Sequence, residues 1–338
     1  MLLTLCTTRQ LPQALSLGDS FTKYASTDKS YPVIIGLVDD PANLPAGFQS
    51  PYPLWPVSEW MDQDQIRTLS SQYTPTEFAA ACKPAFIQEA FRRFPDQNSL
   101  IYTDPNSLFF SSLEPIWQQL KSANVLLTPH ITRAPGGSAK PGQEWPDEKF
   151  FQNIGLYSAD FLAFRRSAET DRLLAWWRDR AETRAFIDFC KSLCTDQIWL
   201  MHLPVFFQNV AIIKDTTWHV ALWNLPQRRL QQENGTWKVS GNTAPLLFMN
   251  AKGLYNPNEG FFPYQNRLKF AERPDVVSLI AAYRKTISAH NDPNMTATQP
   301  AYGQQPEPVV LRGWRRVTVE AMRIVTKFVE EVPLPVLR

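Results

Sequence analysis

The sequence predicts an α/β fold with a mostly parallel sheet flanked by helices, and three observations predict it. Residues 31–38 are an almost wholly apolar run that stops at Asp39, Asp40 and Pro41. Such a run suits a strand covered on both faces. The N-terminal part of the chain alternates strand and helix patterns, the order from which a parallel sheet is wound. Acidic residues, Asp39 and Asp104, directly follow two of the strands, at the end of the sheet where such folds bind ligands.

The elements follow in order. Residues 2–8 read as the first strand, and 10–23 as a helix whose Leu11, Ala14, Leu15, Leu17 and Phe21 form its apolar positions. The next helix spans 75–94: Thr74 caps it, Pro75 takes its first position, and Glu77 stands where a capping box places it. Residues 99–103 form a strand that ends at Asp104, Pro105 and Asn106. A short helix at 115–121, a strand at 124–128 and a long Gly- and Pro-rich loop at 133–146 come next. Leu173, Leu174, Trp176 and Trp177 mark a helix at 168–184, and short strands fill 205–248. Residues 291–308 are polar and punctuated by proline, the composition of a linker.

In the tail, Trp314, Val317, Ala321, Ile324, Val325, Phe328 and Val332 recur at helical spacing, so 311–332 read as an amphipathic helix. Arg312, Arg315, Arg316, Arg323 and Lys327 give it positive charge, which Glu320, Glu330 and Glu331 dilute. Such a helix either lies on an anionic membrane surface or docks on the protein's own core or on a second subunit. The expected organisation is a domain over 1–290, a linker over 291–308 and a helical tail over 309–338.

Composition narrows the function. The 338 residues carry 34 Lys and Arg against 32 Asp and Glu, a net charge of +2. That balance argues against a nucleic-acid partner, which is held by a basic excess. With 28 Pro and only 13 Gly, stiff ordered loops are expected in place of a Gly-rich phosphate cradle. Four scattered cysteines, no leader-like N-terminus and no long apolar run give cytoplasmic as the expected location.

Asp104 and Asn106 offer oxygen ligands two residues apart, immediately after a strand. This arrangement suits a divalent metal that bridges a diphosphate and stabilises a departing nucleoside diphosphate. The same residues equally suit a β-turn, and the pattern alone leaves both open.

Further blocks extend the pattern: Leu5 to Thr7, Leu11 to Ser20, Ile35 to Asp39, Tyr73 to Phe78 with Lys83 and Pro84, and Ile101 to Pro105. Leu127 to His130, Asp196 and Gln197 before Trp199, Trp223 to Leu225, and Gln265, Asn266 and Arg267 complete them. In this order, over roughly residues 1–285, the chain resembles a bacterial family of nucleotide-diphospho-sugar transferases with the GT-A (Rossmann-like) fold. The resemblance implies a mixed sheet and a glycosyltransferase that moves a sugar from a nucleotide-diphosphate donor to a glycan or lipid-linked acceptor hydroxyl, in surface glycan or polysaccharide synthesis. It implies that Thr7, Asp39, Tyr73, Lys83, Asp104, Asn106, Gln197 and Lys252 line the donor site. Asp196 would be the catalytic base, and Asp104, Asn106 and Asn250 the ligands of Mn²⁺ or Mg²⁺.

Three departures fall on that site. Asn106 stands where the family has a second acid, Asn250 lies in the segment where a His is expected, and Asp160 replaces a glycine. Fewer anionic ligands weaken a divalent site, and Lys252 could supply positive charge to the diphosphate instead. The alternative expectation is a binding or scaffold protein on the same fold, assisting a partner transferase. His130 reads as a structural histidine.

Overall fold

The computed structural model describes residues 1–25, 31–134, 148–256, 259, 269–306 and 313–332. Most of the expected loop at 133–146, and the block at Gln265, Asn266 and Arg267, lie outside the described residues. The chain divides into two compact units, Met1–Pro306 and Glu307–Arg338.

The strands, in chain order, are β1 (Leu2–Cys6), β2 (Val33–Leu37), β3 (Leu54–Pro56), β4 (Ser99–Thr103), β5 (Ser107–Phe109), β6 (Val125–Pro129) and β7 (Tyr157–Arg165). They continue as β8 (Ile187–Asp188), β9 (Leu193–Cys194), β10 (Val210–Ile212), β11 (Val220–Ala221), β12 (Leu230–Glu233), β13 (Thr236–Val239) and β14 (Phe248–Asn250). Seven of them form the main sheet in the order β10-β6-β7-β4-β1-β2-β3. β1 pairs in parallel with β2 and β4, β2 with β3, and β6 with β10. β7 alone among them runs antiparallel, between β4 and β6. The mixed, mostly parallel sheet expected of the GT-A fold is present.

Alternation along the strands fills two cores. Leu3, Leu5, Ile34, Leu100 and Tyr102 pack with Phe78 and Phe86 of the helix Pro75–Arg93 and with Leu173 and Trp177 of the helix Ala168–Arg184. Leu2, Val33, Ile101, Leu126 and Phe161 face the other way, against Leu17 and Phe21 of Leu11–Tyr24 and Ile116 and Leu120 of Glu114–Leu120. Each such side chain gains about 1.5–3 kcal/mol from leaving water. The capping box is as expected: Glu77 N donates to Thr74 Oγ1 at 3.2 Å, and Thr74 N to Glu77 Oε2 at 2.9 Å.

Residues 291–306 differ from the expected linker, because their backbone donors find fixed acceptors. Pro293–Ala297 is helical, with Met295 buried. Ala301 N donates to Asp39 Oδ1 at 2.8 Å, Gln304 N to the Ser70 carbonyl at 2.7 Å, and Gln305 N to the Tyr73 carbonyl at 3.1 Å. The Tyr302 ring packs on Phe78 at 5.3 Å. Polar composition hides such a strap, since it is held by main-chain hydrogen bonds and little apolar area.

In the second unit, the helix Trp314–Glu331 carries Arg316–Glu320 and Lys327–Glu331 ion pairs one turn apart. Its Trp314, Val317, Ile324, Val325 and Phe328 are exposed. No described helix is long and apolar enough to cross a membrane.

Gly303 sits at φ +85, where an added Cβ would collide with the Pro75 backbone. Gly303→Ala should cost about 1–3 kcal/mol and open 291–306 to limited proteolysis. Gly241→Ala, at φ +85 with open space around it, should leave the cleavage pattern of that strap unchanged.

Candidate functional site

The loop leaving β4 carries Asp104 and Asn106 into β5, whose Ser107 lies opposite Asn250 of β14. Because β7 is antiparallel, its early residues reach the same end of the sheet: Asp104 N donates to the Asp160 carbonyl at 2.8 Å. Three separate elements thus bring Asp104, Asn106, Asp160, Asn250 and Lys252 together.

Lys252 Nζ lies 2.7 Å from Asp104 Oδ2 and 2.9 Å from Asp160 Oδ1. Asn250 Nδ2 donates to Asp160 Oδ2 at 3.0 Å, while its Oδ1 accepts from Lys252 N at 2.8 Å. Asn106 donates to Asp104 Oδ1 from its backbone N at 2.9 Å and from Nδ2 at 3.0 Å. Burial would pull the Lys252 pKa down, but Asp104 and Asp160 more than offset it and hold the ammonium above its ordinary range. Glu259 is hydrogen-bonded to the Asn106 side chain; burial, then the charge of Asp104, pushes its pKa up against the pull of Lys252 and Arg9.

A divalent cation needs several oxygens turned toward one point. Here the Asn250 amide points the other way, while Asn106 Oδ1 is buried without a hydrogen-bond partner. Nδ2 of each asparagine faces a carboxylate oxygen, which only accepts, and Asn250 Oδ1 faces a backbone N–H, which only donates. The Lys252 ammonium stands between the two carboxylates. Asn250, and the two carboxylates that Lys252 occupies, therefore do not turn toward a shared Mn²⁺ or Mg²⁺ in this arrangement. Among the described residues, no group of three or more His, Cys, Asp and Glu is placed to hold a metal.

A second pair lies behind the first. Lys83 Nζ is 2.6 Å from Asp196 Oδ2, with both side chains buried. Lys83 also donates to the Ala159 carbonyl at 3.2 Å and lies 4.9 Å over the Tyr102 ring. Burial pushes the Asp196 pKa up, and Lys83 works against that rise. Ala159 N donates to Gln197 Oε1 at 3.1 Å, and Gln197 Nε2 to the Ile154 carbonyl at 2.7 Å. The Asp196 and Gln197 motif thus clamps the Ala159 peptide from both sides, and the next residue along is Asp160. Lys83, within the helix Pro75–Arg93, is thus buried, and so is Asp196.

Other expected donor residues are engaged elsewhere. Asp39 is fully buried and accepts from Thr8 N, Asp40 N, Asn43 Nδ2 and Ala301 N at 2.8–3.0 Å. Its carboxylate ties together two strand ends and the strap. Thr7 N and Oγ1 both lie within hydrogen-bonding distance of Gln10 Oε1, at 3.3 and 3.4 Å. Tyr73 departs furthest from expectation: its buried hydroxyl donates to the Glu182 carbonyl at 2.9 Å and accepts from Ala185 N at 3.2 Å, gripping the end of a helix. His130 is buried against Phe151 and Trp223, and burial lowers its pKa to about 4, so it is neutral and structural.

Glu259 and Arg9 escape sequence reasoning. Arg9 had a readable signal, lying just beyond β1 and exposed. Glu259 had none, because nothing in its neighbourhood shows a pattern.

No protein-family model matches the chain. Two curated Bacillus subtilis (strain 168) proteins do. The uncharacterized protein YfnF is 23% identical over 252 residues, 72% of this chain and 78% of YfnF. The uncharacterized protein YfnD is 22% identical over 201 residues, 57% of this chain and 59% of YfnD. Among solved structures, the chain is similar to galactosyltransferase LgtC in complex with donor and acceptor sugar analogs: 12% identity, TM-score 0.44, 89% of this chain and 97% of that one. It is also similar to the bifunctional glycosyltransferase WbbM (14%, TM-score 0.39, 65% and 39% covered). Mouse xyloside xylosyltransferase 1 is a further likeness (10%, TM-score 0.39, 77% and 99%). At such low similarity, the chain's own residues have to decide what it does.

Removing one member of a buried ion pair strands the other. Lys83→Met and Asp196→Asn should each lower stability by about 3–5 kcal/mol in chemical denaturation. The double variant should lose clearly less than the sum of the two.

Proposed function

We propose that this protein is a glycosyltransferase that moves a sugar from a nucleotide-diphosphate donor to an acceptor hydroxyl on a glycan or lipid carrier, in surface glycan or polysaccharide synthesis. The observation that carries this reading is the convergence of Asp104, Asn106, Asp160, Asn250 and Lys252 beyond the carboxyl end of β4. Ligands of open α/β sheets bind there. A divalent metal, in the family reading, would neutralise the leaving diphosphate. In this chain Lys252 and the exposed Arg9 offer cationic groups for phosphate oxygens.

Asp160 and Asp104 hold the Lys252 ammonium in place. Lys83, Asp196 and Gln197 fix the Ala159 peptide and so aim Asp160. In this reading Asp196 is a positioning residue. Asp160, on the open side of that clamp, is the carboxylate better placed to meet a sugar hydroxyl.

Calorimetry with a panel of nucleoside diphosphates, followed by donor-hydrolysis assays with the matching nucleotide sugars, tests the proposal. Binding of one nucleotide in the micromolar range, with slow release of that nucleotide from its sugar conjugate, is expected. Binding without turnover of any donor would favour the scaffold reading, which the self-compensated charges of the site support. Absence of both sinks the proposal.

The tail adds a location. Its exposed apolar residues, with Arg315, Arg316, Arg323 and Lys327, suit the interface of an anionic membrane facing the cytoplasm, where a lipid-linked acceptor would lie. Flotation with phosphatidylglycerol vesicles should be strong for the full chain and lost in Val317→Asp/Phe328→Asp. Equal flotation of both proteins excludes a membrane role for this helix, and dimerisation is then read from light scattering.

A further inference from the structure

Resting on the glycosyltransferase reading above, we propose that Lys252 is the resident cation of the site: its ammonium takes the place of a divalent metal, and nucleotide diphosphate is bound without one. Four positions from three well-separated stretches of sequence converge on this result. Asn106 removes one carboxylate, Asn250 turns its amide N–H₂ toward Asp160, Asp160 adds a carboxylate where a glycine is expected, and Lys252 bridges Asp160 to Asp104. The two asparagines and the lysine each weaken a metal site, and Asp160 supplies the second carboxylate that the lysine bridges. Together they surround the Lys252 ammonium with two carboxylates and an amide that holds one of them, while Asn106 Oδ1 stays buried without a hydrogen-bond partner.

The charge arithmetic agrees. Two carboxylates with a divalent ion sum to zero; Asp104 and Asp160 with Lys252 sum to −1. The ammonium therefore answers half of the charge, and phosphate would bind more weakly and with a steeper salt dependence than at a metal. The Lys252 side chain is 25% exposed and two of its three donors are committed, so one N–H remains for a phosphate oxygen. Its backbone is pinned as well, through the Lys252 N to Asn250 Oδ1 hydrogen bond.

The test uses the full chain. Manganese binding is read by electron paramagnetic resonance, and nucleoside-diphosphate affinity by calorimetry in EDTA and in Mn²⁺. Wild type should take up no Mn²⁺ and bind its preferred nucleotide with affinities within about twofold in the two buffers. Lys252→Met should weaken nucleotide binding in EDTA by roughly tenfold or more. The same variant should acquire Mn²⁺ binding, because Asp104 and Asp160 are left facing each other. Mn²⁺ uptake by wild type, or nucleotide binding that EDTA abolishes, overturns the assignment and leaves the glycosyltransferase reading standing. A folded Lys252→Met that gains no Mn²⁺ and keeps its affinity also overturns it. If no nucleotide binds in either buffer, the glycosyltransferase reading fails, and the manganese signals of wild type and variant still decide which cation the site is built for. The wild-type readouts hold even if Lys252→Met does not fold, and Lys252→Arg then serves as the charge-retaining variant.

Discussion

A carboxylate taken out of water must be met by a cation or by several N–H donors, and this requirement organises the end of the sheet. Asp39, Asp104, Asp160 and Asp196 all lie there, and each is answered by the chain itself. Asp39 gathers main-chain N–H groups from two strand ends and a distant strap. Asp196 takes a buried lysine. Asp104 and Asp160 share another. Leaving one such group uncompensated costs several kcal/mol, so these pairings help to hold the loops around the site.

The antiparallel strand β7 makes that arrangement geometrically accessible. Inserted between β4 and β6, it brings its beginning to the place where its neighbours end. Asp160 then lies beside Asp104, and the peptide before it lies within reach of Lys83 and Gln197. In a wholly parallel sheet the start of this strand would stand at the opposite edge. Local departures in sequence therefore act as one unit, and the surroundings of Lys252 are as much a product of strand direction as of residue type.

Much of the fold was legible. Short apolar runs marked β1, β2, β4 and β6, and the Thr74, Pro75 and Glu77 signal placed a helix start correctly, because these features are local and each has a local energetic cause. The site was legible only in part. Asp104 and Lys252 stood out by residue type and place, and Asp160 as a departure, but their mutual contact did not. Tyr73 is hard to place from sequence, because a tyrosine before a helix cap looks the same whether its hydroxyl faces a ligand or a helix end, as it does here. The contacts of 291–306 are hidden in the sequence for a similar reason, since hydrogen bonds from main-chain N–H groups leave no mark on composition.

By itself, then, the sequence determined which segments become strands and helices, that they wind into an α/β sheet, and that acidic residues end two of its strands. Periodicity and capping act over a few residues and can be read there. Only the tertiary structure decided what those acidic residues face. Asp104, Asp160 and the stretch with Asn250 and Lys252 come from three separate elements, and the partner of each charge is chosen by strand order and direction, which no local pattern encodes.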